Sequence, residues 1–153
     1  MSRTRFWATL AAALGLIVLL TVGKSAVSIP GLWEASVHHT RALRLLPFGD
    51  FFRYSSPIIP LYYLVSNIIL FVPLGWVLAH RARHPVLLGL AVSLLVELSQ
   101  FAFALGFTDL NDVLQNTVGT ALGVWLSPRF SLSTPILLAL AFIVTLYLAA
   151  LCA

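Results

Sequence analysis

The sequence predicts an all-α, polytopic membrane bundle of about five transmembrane helices. Two features of the 153 residues carry that expectation. Hydrophobic residues make up 60% of the chain and charged residues only 9%, against roughly 25% charged in soluble domains. The mean hydropathy is +1.00. These charges could not cover a water-exposed surface, and a soluble domain is excluded. The nine Lys and Arg are scattered between apolar runs, as membrane flanks require. The sequence pI near 9.8 therefore reads as membrane topology, and no nucleic-acid partner is expected.

Spanning the hydrocarbon takes about 20 mostly apolar residues in a helix. The segments of suitable length are Phe6–Gly23, Ile59–Ala79, Pro85–Leu105, Asp109–Leu126 and Pro135–Leu151. The fourth is the most polar and the fifth almost purely aliphatic. Arg3 and Arg5 ahead of the first segment would also suit a signal peptide. However, the run is long for an h-region, and Lys24 stands where a small cleavage-site residue is wanted. A retained anchor is expected. Arg3, Arg5, Arg81, Arg83 and Arg129 share one side, and Lys24, Arg41, Arg44 and Arg53 the other. The short connection His80–His84, with two Arg and two His, favours the cytoplasm for the first side. The N-terminus is thus expected inside and the C-terminus outside. The outer loop Lys24–Ser56 mixes Arg with Leu45, Leu46, Phe48, Phe51 and Phe52. That mixture suits the headgroup layer, although a solvated loop with a few apolar anchors is the plainer reading.

Polar residues inside the spans need a reason, because an amide or a charge in hydrocarbon is costly without a partner. Helix two carries Ser66 and Asn67, and helix three Glu97 and Gln100. Helix four carries Asp109, Asn111, Asp112, Gln115 and Asn116. Glu97 and Gln100 share a face, as do Asp109, Asp112 and Asn116. At 1.5 Å per residue, Asn67, Glu97 and Asn116 lie roughly 10–12 Å beneath the outer surface, with Gln100 and Asp112 one turn nearer. These layers predict one pocket opening outward, with Asp109 and Asn111 at its mouth. The competing reading makes the same groups hydrogen-bonded glue between helices. Gly119 and Gly123 continue the helix-four stripe and read as backbone packing contacts. Pro73 removes the N–H that would have paired with the Ile69 carbonyl, and Gly75 tolerates close approach. An ordinary proline kink is the simpler account of this pair.

Other constellations are weak. His80 and His84 bracket a turn, and headgroup contact suits them better than metal. Glu97, Asp109 and Asp112 lack a closed set of oxygen ligands for a hard cation. No metal or cofactor is expected. The single Cys152 cannot form an internal disulfide.

The run Asn67-Ile-Ile-Leu-Phe-Val-Pro73-Leu-Gly75 resembles the N-x-x-x-F-x-P-L-G signature of VanZ-like membrane proteins. Glu97-Leu-Ser-Gln100 resembles their E-x-x-Q, and Asp109 to Gly119 their D-x-x-D-x-x-x-N-x-x-G. Leu45-Leu46-Pro47-Phe48 is similar to their L-I-P-F element. The blocks occur in order from Arg41 to Gly123. They imply a single domain over 1–153, with a family-like core at 41–126, an N-terminal anchor helix at 6–23 and a C-terminal helix at 135–151. Two departures stand out. The family often has Arg shortly before the first Asp of the third block, where this chain reads Gly106-Phe107-Thr108. It often has Asn just before L-I-P-F, where this chain has Arg44. Arg44 or Arg41 is therefore expected to swing over the pocket mouth in place of the usual Arg.

The resemblance implies a multi-pass protein of the bacterial inner (plasma) membrane. The family's name member is linked to low-level resistance to the glycopeptide teicoplanin. Three functions fit these residues. The first is binding or processing of a lipid or lipid-linked envelope precursor. Glu97 and Asp112 would then be an acid pair in different environments, with Glu97 as hydrogen-bond donor or general acid. Asn67, Gln100, Asp109, Asn116 and Arg44 would be ligand-binding residues. The second is a non-catalytic accessory subunit of a membrane-protein partner. The third is a small proton-linked transporter, against which stands the lack of an inverted repeat.

Overall fold

The computed structural model describes residues 1–23, 41–49, 52, 55–128, 139, 142 and 143. The expected helix Pro135–Leu151 and much of the outer loop fall outside the described residues. The elements run α1 (Arg3–Thr21), β1 (Arg41–Arg44), α2 (Ile58–Leu78), α3 (Pro85–Phe103), β2 (Gly106–Asp109) and α4 (Leu110–Leu126).

The helix boundaries follow local chemistry. α1 starts ahead of its apolar run because the Ser2 hydroxyl accepts the Arg5 N–H at 3.3 Å, an N-cap bond. α3 has Pro85 at its start, where the missing N–H is no loss. It stops at Phe103 because Ala104 turns left-handed at φ 55°. The Leu105 N–H then reaches the Gln100 carbonyl at 2.8 Å, as a Schellman ending requires. Arg41 closes the same helix end from afar. Its Nε and Nη2 donate to the Phe101 and Ala102 carbonyls, each at 3.0 Å. α4 is N-capped by Asp109, whose Oδ1 accepts the Asn111 N–H at 2.8 Å.

α1, α2 and α3 are long and apolar enough to cross a membrane. α4 has 17 residues and carries the polar stripe. The four helices alternate in direction. At one end Arg81 Nη2 donates to the Met1 carbonyl at 3.3 Å, and His80 lies beside Ser127. At the other end Gln100 Nε2 donates to the Thr21 carbonyl at 3.3 Å, and Phe48 meets Asn111. Arg3, Arg5, Arg81 and Arg83 thus share one end.

The all-α bundle carries one addition that the sequence pattern did not signal. β1 and β2 pair in parallel, with Arg41 opposite Gly106 and Arg44 opposite Asp109. Parallel strands need a long crossover, and here the two spans α2 and α3 supply it. Neither strand alternates clearly in hydrophobicity, so the residues read as interfacial loop.

The apolar core lies where α1 meets α2. Ile17, Leu20, Leu70, Phe71, Leu74, Leu78 and Val96 form one cluster, and Phe6, Trp76 and Val77 a second. α1 contributes Phe6, Thr9, Ala13, Ile17, Leu20 and Thr21, a stripe at helical spacing. α4 packs on the other side of α2 by backbone contact. A Cβ on Gly119 would strike the Ile68 carbonyl, and one on Gly123 the Val72 carbonyl and the Trp76 amide. A Cβ on Gly75 would strike the Thr120 backbone. Gly89 of α3 leaves room for the Thr120 side chain. Thr120 is fully buried where the three helices meet, and its hydroxyl donates to the Asn116 carbonyl at 3.0 Å. α2 continues as one helix through the buried Pro73.

Gly119→Ala and Gly123→Ala should each destabilise the protein by about 1–3 kcal/mol, as overpacking does. Gly15→Ala, where a Cβ meets nothing within 4 Å, should be neutral or stabilising. Denaturant unfolding of the purified protein measures the contrast, and equal effects at all three positions would contradict the packing described.

Candidate functional site

The polar residues gather along α4 in three sets. The first set surrounds its entry. Glu97 is 4% exposed, and its Oε2 accepts the Asp109 backbone N–H at 2.8 Å. The Thr108 hydroxyl donates to the Glu97 carbonyl at 3.2 Å. Asn111 Oδ1 accepts the Phe48 N–H at 2.6 Å, and Phe48 holds a left-handed φ of 58°. The segment after β1 is thus tied to the first turn of α4, and that turn to α3.

The second set joins α2 to α4. Asn67 Nδ2 donates to Asp112 Oδ1 at 2.7 Å and to Gln115 Oε1 at 3.0 Å. One amide therefore reaches two consecutive turns of the neighbouring helix. The third set joins α3 to α4. Asn116 Nδ2 donates to the Ser93 hydroxyl at 2.9 Å. Asn116 is 2% exposed, and its Oδ1 has no hydrogen-bond partner among the described residues. Gln100 is in the same position: its amide is engaged by Thr21, and its Oε1 has no such partner.

The sequence-derived layers are rearranged by these contacts. Asn67 pairs with Asp112 and Gln115, not with Asn116 at its own depth. The reason is geometric. α2 and α4 run parallel, with Ile68 against Gly119 and Val72 against Gly123, and a helical side chain leans toward its N-terminus. Asn67 therefore reaches the earlier turns of α4. Glu97 and Asp112 each have a distinct partner: Glu97 holds the α4 entry, and Asp112 faces α2. Sequence reasoning gave no role to Ser93 or Gln115 as partners. Ser93 lies four residues before Glu97 on the same face, and Gln115 three after Asp112, so helical spacing alone could have found both.

Arg44 sits where the departures from the family pattern meet. It lies in register with Asp109, and its guanidinium carbon is 3.7 Å from the Phe107 ring centroid, within cation–π range. The chain thus places a cation over the stretch Gly106–Thr108. Arg41 is engaged instead in capping α3. Beside Arg44 opens a cavity of about 230 Å³, lined by Leu43, Arg44, Leu45, Leu46, Gly49, Asp109 and Asn111. Among the described residues no three His, Cys, Asp or Glu side chains gather as a metal site would need.

The fold and these contacts define a helical membrane protein with a polar seam along one helix and a mixed polar–apolar cavity at its end. The chain belongs to the VanZ/LLP1 family, whose pattern it matches over residues 10–132. It is similar to Protein VanZ of Enterococcus faecium, at 35% identity over 92 residues. That match covers 57% of this chain and 53% of the relative, about half of the relative's length. No solved structure matches the chain.

A double-mutant cycle on Asn67→Ala and Asp112→Ala should give a coupling of about 1 kcal/mol, as for other hydrogen bonds between membrane helices. The Asn67→Ala and Asn116→Ala cycle should give coupling near zero. Equal coupling in both would contradict the pairing.

Proposed function

We propose that this VanZ-family protein binds a lipid or lipid-linked envelope component at its β1–β2 end, where that component is presented from outside the cell. The observation that carries this reading is the cavity of about 230 Å³, which combines Arg44, Asp109 and Asn111 with Leu43, Leu45 and Leu46. A water-soluble ligand has no use for the apolar half of such a lining, and a hydrocarbon has none for the polar half. An amphiphile uses both. Arg44 offers a planar donor set suited to phosphate or carboxylate. Leu45, Leu46 and Phe48 are exposed beside it, an apolar surface for acyl chains.

In this reading Asn67, Gln100 and Asn116 brace the site. Glu97 acts on the head group through Asp109, and Asp112 holds Asn67 in the brace. A five-span topology with the N-terminus inside, in the bacterial inner membrane, goes with this reading. The family resemblance implies an effect on glycopeptide susceptibility. An accessory-subunit reading has its own support, since the seam residues bond largely to one another.

Lipid extraction from the purified protein with mass spectrometry tests the binding. Wild type should retain a lipid that the Glu97→Gln/Asp112→Asn pair and Arg44→Gln each lose by about tenfold, the scale of one disrupted charge-assisted bond. Identical lipid profiles in all three would overturn the reading and leave the accessory role.

Sidedness is tested with single cysteines in a Cys152→Ser background. A membrane-impermeant thiol reagent on intact cells should label Leu46→Cys and not Arg83→Cys. The reverse pattern would invert the topology.

A further inference from the structure

The opposite end of the bundle is basic and carries no use in the reading above. Arg3, Arg5, Arg81 and Arg83 are all exposed there. The described acids lie far away. Glu97 stands twelve residues beyond the start of α3, about 18 Å along its axis, and Asp109 and Asp112 open α4 at the other end. The basic groups therefore have no carboxylate among the described residues of their own end.

Arg81 is held in place. Its Nη2 donates to the Met1 carbonyl, and its guanidinium carbon lies 5.6 Å from the Phe6 ring centroid. This bond draws the α2–α3 connection onto the start of α1, so that two short basic segments form one surface. His80 is fixed beside them, its Nδ1 donating to the Trp76 carbonyl at 2.9 Å and its ring packed on the Trp76 indole at 4.6 Å.

The depth of this surface is marked by tryptophan. Trp7 is 57% and Trp125 52% exposed. Trp7 lies one turn from Arg3, and Trp125 two residues before Ser127, which touches His80. Exposed indoles on apolar helices belong at the membrane–water interface. The arginines thus sit at headgroup level, where phosphates are the available anions. A guanidinium binds phosphate through two parallel hydrogen bonds.

We propose that this end is a binding surface for the phosphate of an anionic phospholipid, with Arg81 as the positioned arm and Arg3, Arg5 and Arg83 around it. The lipid holds α1 and the α2–α3 connection together by bridging their cations. Its acyl chains lie along the exposed apolar face beside Trp7. The site is separate from the β1–β2 cavity and does not depend on what that cavity binds, nor on which side of the membrane it faces.

Thermal unfolding of the full chain in a neutral detergent tests the surface. The midpoint is titrated with short-chain phosphatidylglycerol, short-chain phosphatidylcholine and inorganic phosphate. Phosphatidylglycerol should raise the midpoint, and the other two should leave it unchanged. Each neutralised arginine should shift the phosphatidylglycerol titration to about fivefold higher concentration. Arg81→Gln also removes the Met1 contact, so Arg83→Gln serves as a second variant that leaves that contact intact. An equal response to phosphatidylcholine would reduce the effect to general solvation by lipid. An equal response to phosphate would make the surface a soluble-anion site. Unshifted titrations in both variants would overturn the assignment of the arginines.

Discussion

Everything at the polar end depends on how closely α2 and α4 approach. In lipid the hydrophobic effect does not press helices together, so contact must come from packing and polar bonds. Gly119 and Gly123 remove the side chains that would hold α4 away, and the Ile68 and Val72 carbonyls occupy that space. Gly75 admits the Thr120 backbone from the other direction. Only at this separation can the short Asn67 side chain span to Asp112 and Gln115. A wider spacing would leave the half-buried Asn67, the buried Gln115 and a carboxylate without these bonds, which is costly away from water. Packing and polar chemistry are thus one design: the glycines set the distance, and the amide uses it.

The second constraint is the entry to α4. The chain leaves α3 through a left-handed Ala104, runs four residues as β2, and must start a helix at once. The first-turn N–H groups of a helix need acceptors. Asp109 supplies one to Asn111, and Glu97 accepts the N–H of Asp109 itself. Glu97 therefore has a structural task at the entry to α4. A carboxylate beside the positive end of a helix is favoured by the helix dipole. Asp112, in the first turn, gains from the same field. The acids that looked like chemistry from sequence are also what lets a helix begin at membrane depth.

The helices were legible because their signals are local. Apolar length alone placed each described boundary to within a few residues. The glycine contacts were legible too, since four-residue spacing of small residues has one main use in lipid. The β1–β2 pair was not, because Arg41–Arg44 and Gly106–Asp109 are four residues each and become strands only through each other. The pairing of Asn67 escaped for a related reason. Depth along each helix can be read from residue number, but stagger and side-chain lean between parallel helices cannot. The seam was therefore visible as a set of residues, and its wiring was not. Arg44 falls between the two cases. The expectation that Arg44 or Arg41 would swing over the pocket mouth rested on a missing residue in a pattern, and strand register is what sets Arg44 beside Asp109 and Phe107.

The wiring changes what the polar residues can do. Most seam groups meet one another: Asn67 with Asp112 and Gln115, Asn116 with Ser93, Glu97 with the Asp109 amide. Groups so engaged hold helices in place and are poorly available to a ligand, because displacing them leaves a buried donor or acceptor unsatisfied. The cavity lies one step further out, lined by Arg44, Asp109 and Asn111, the last two themselves only 5% exposed. Each is fastened from behind, Asp109 by Glu97 and Asn111 by the Phe48 amide, while Arg44 rests on Phe107. A rim held in this way presents fixed polar groups beside exposed leucines, and the membrane-embedded acids serve it by keeping it rigid. The depth that first drew attention to Glu97 and Asn116 is then the depth of the brace, and the surface it supports is at the mouth.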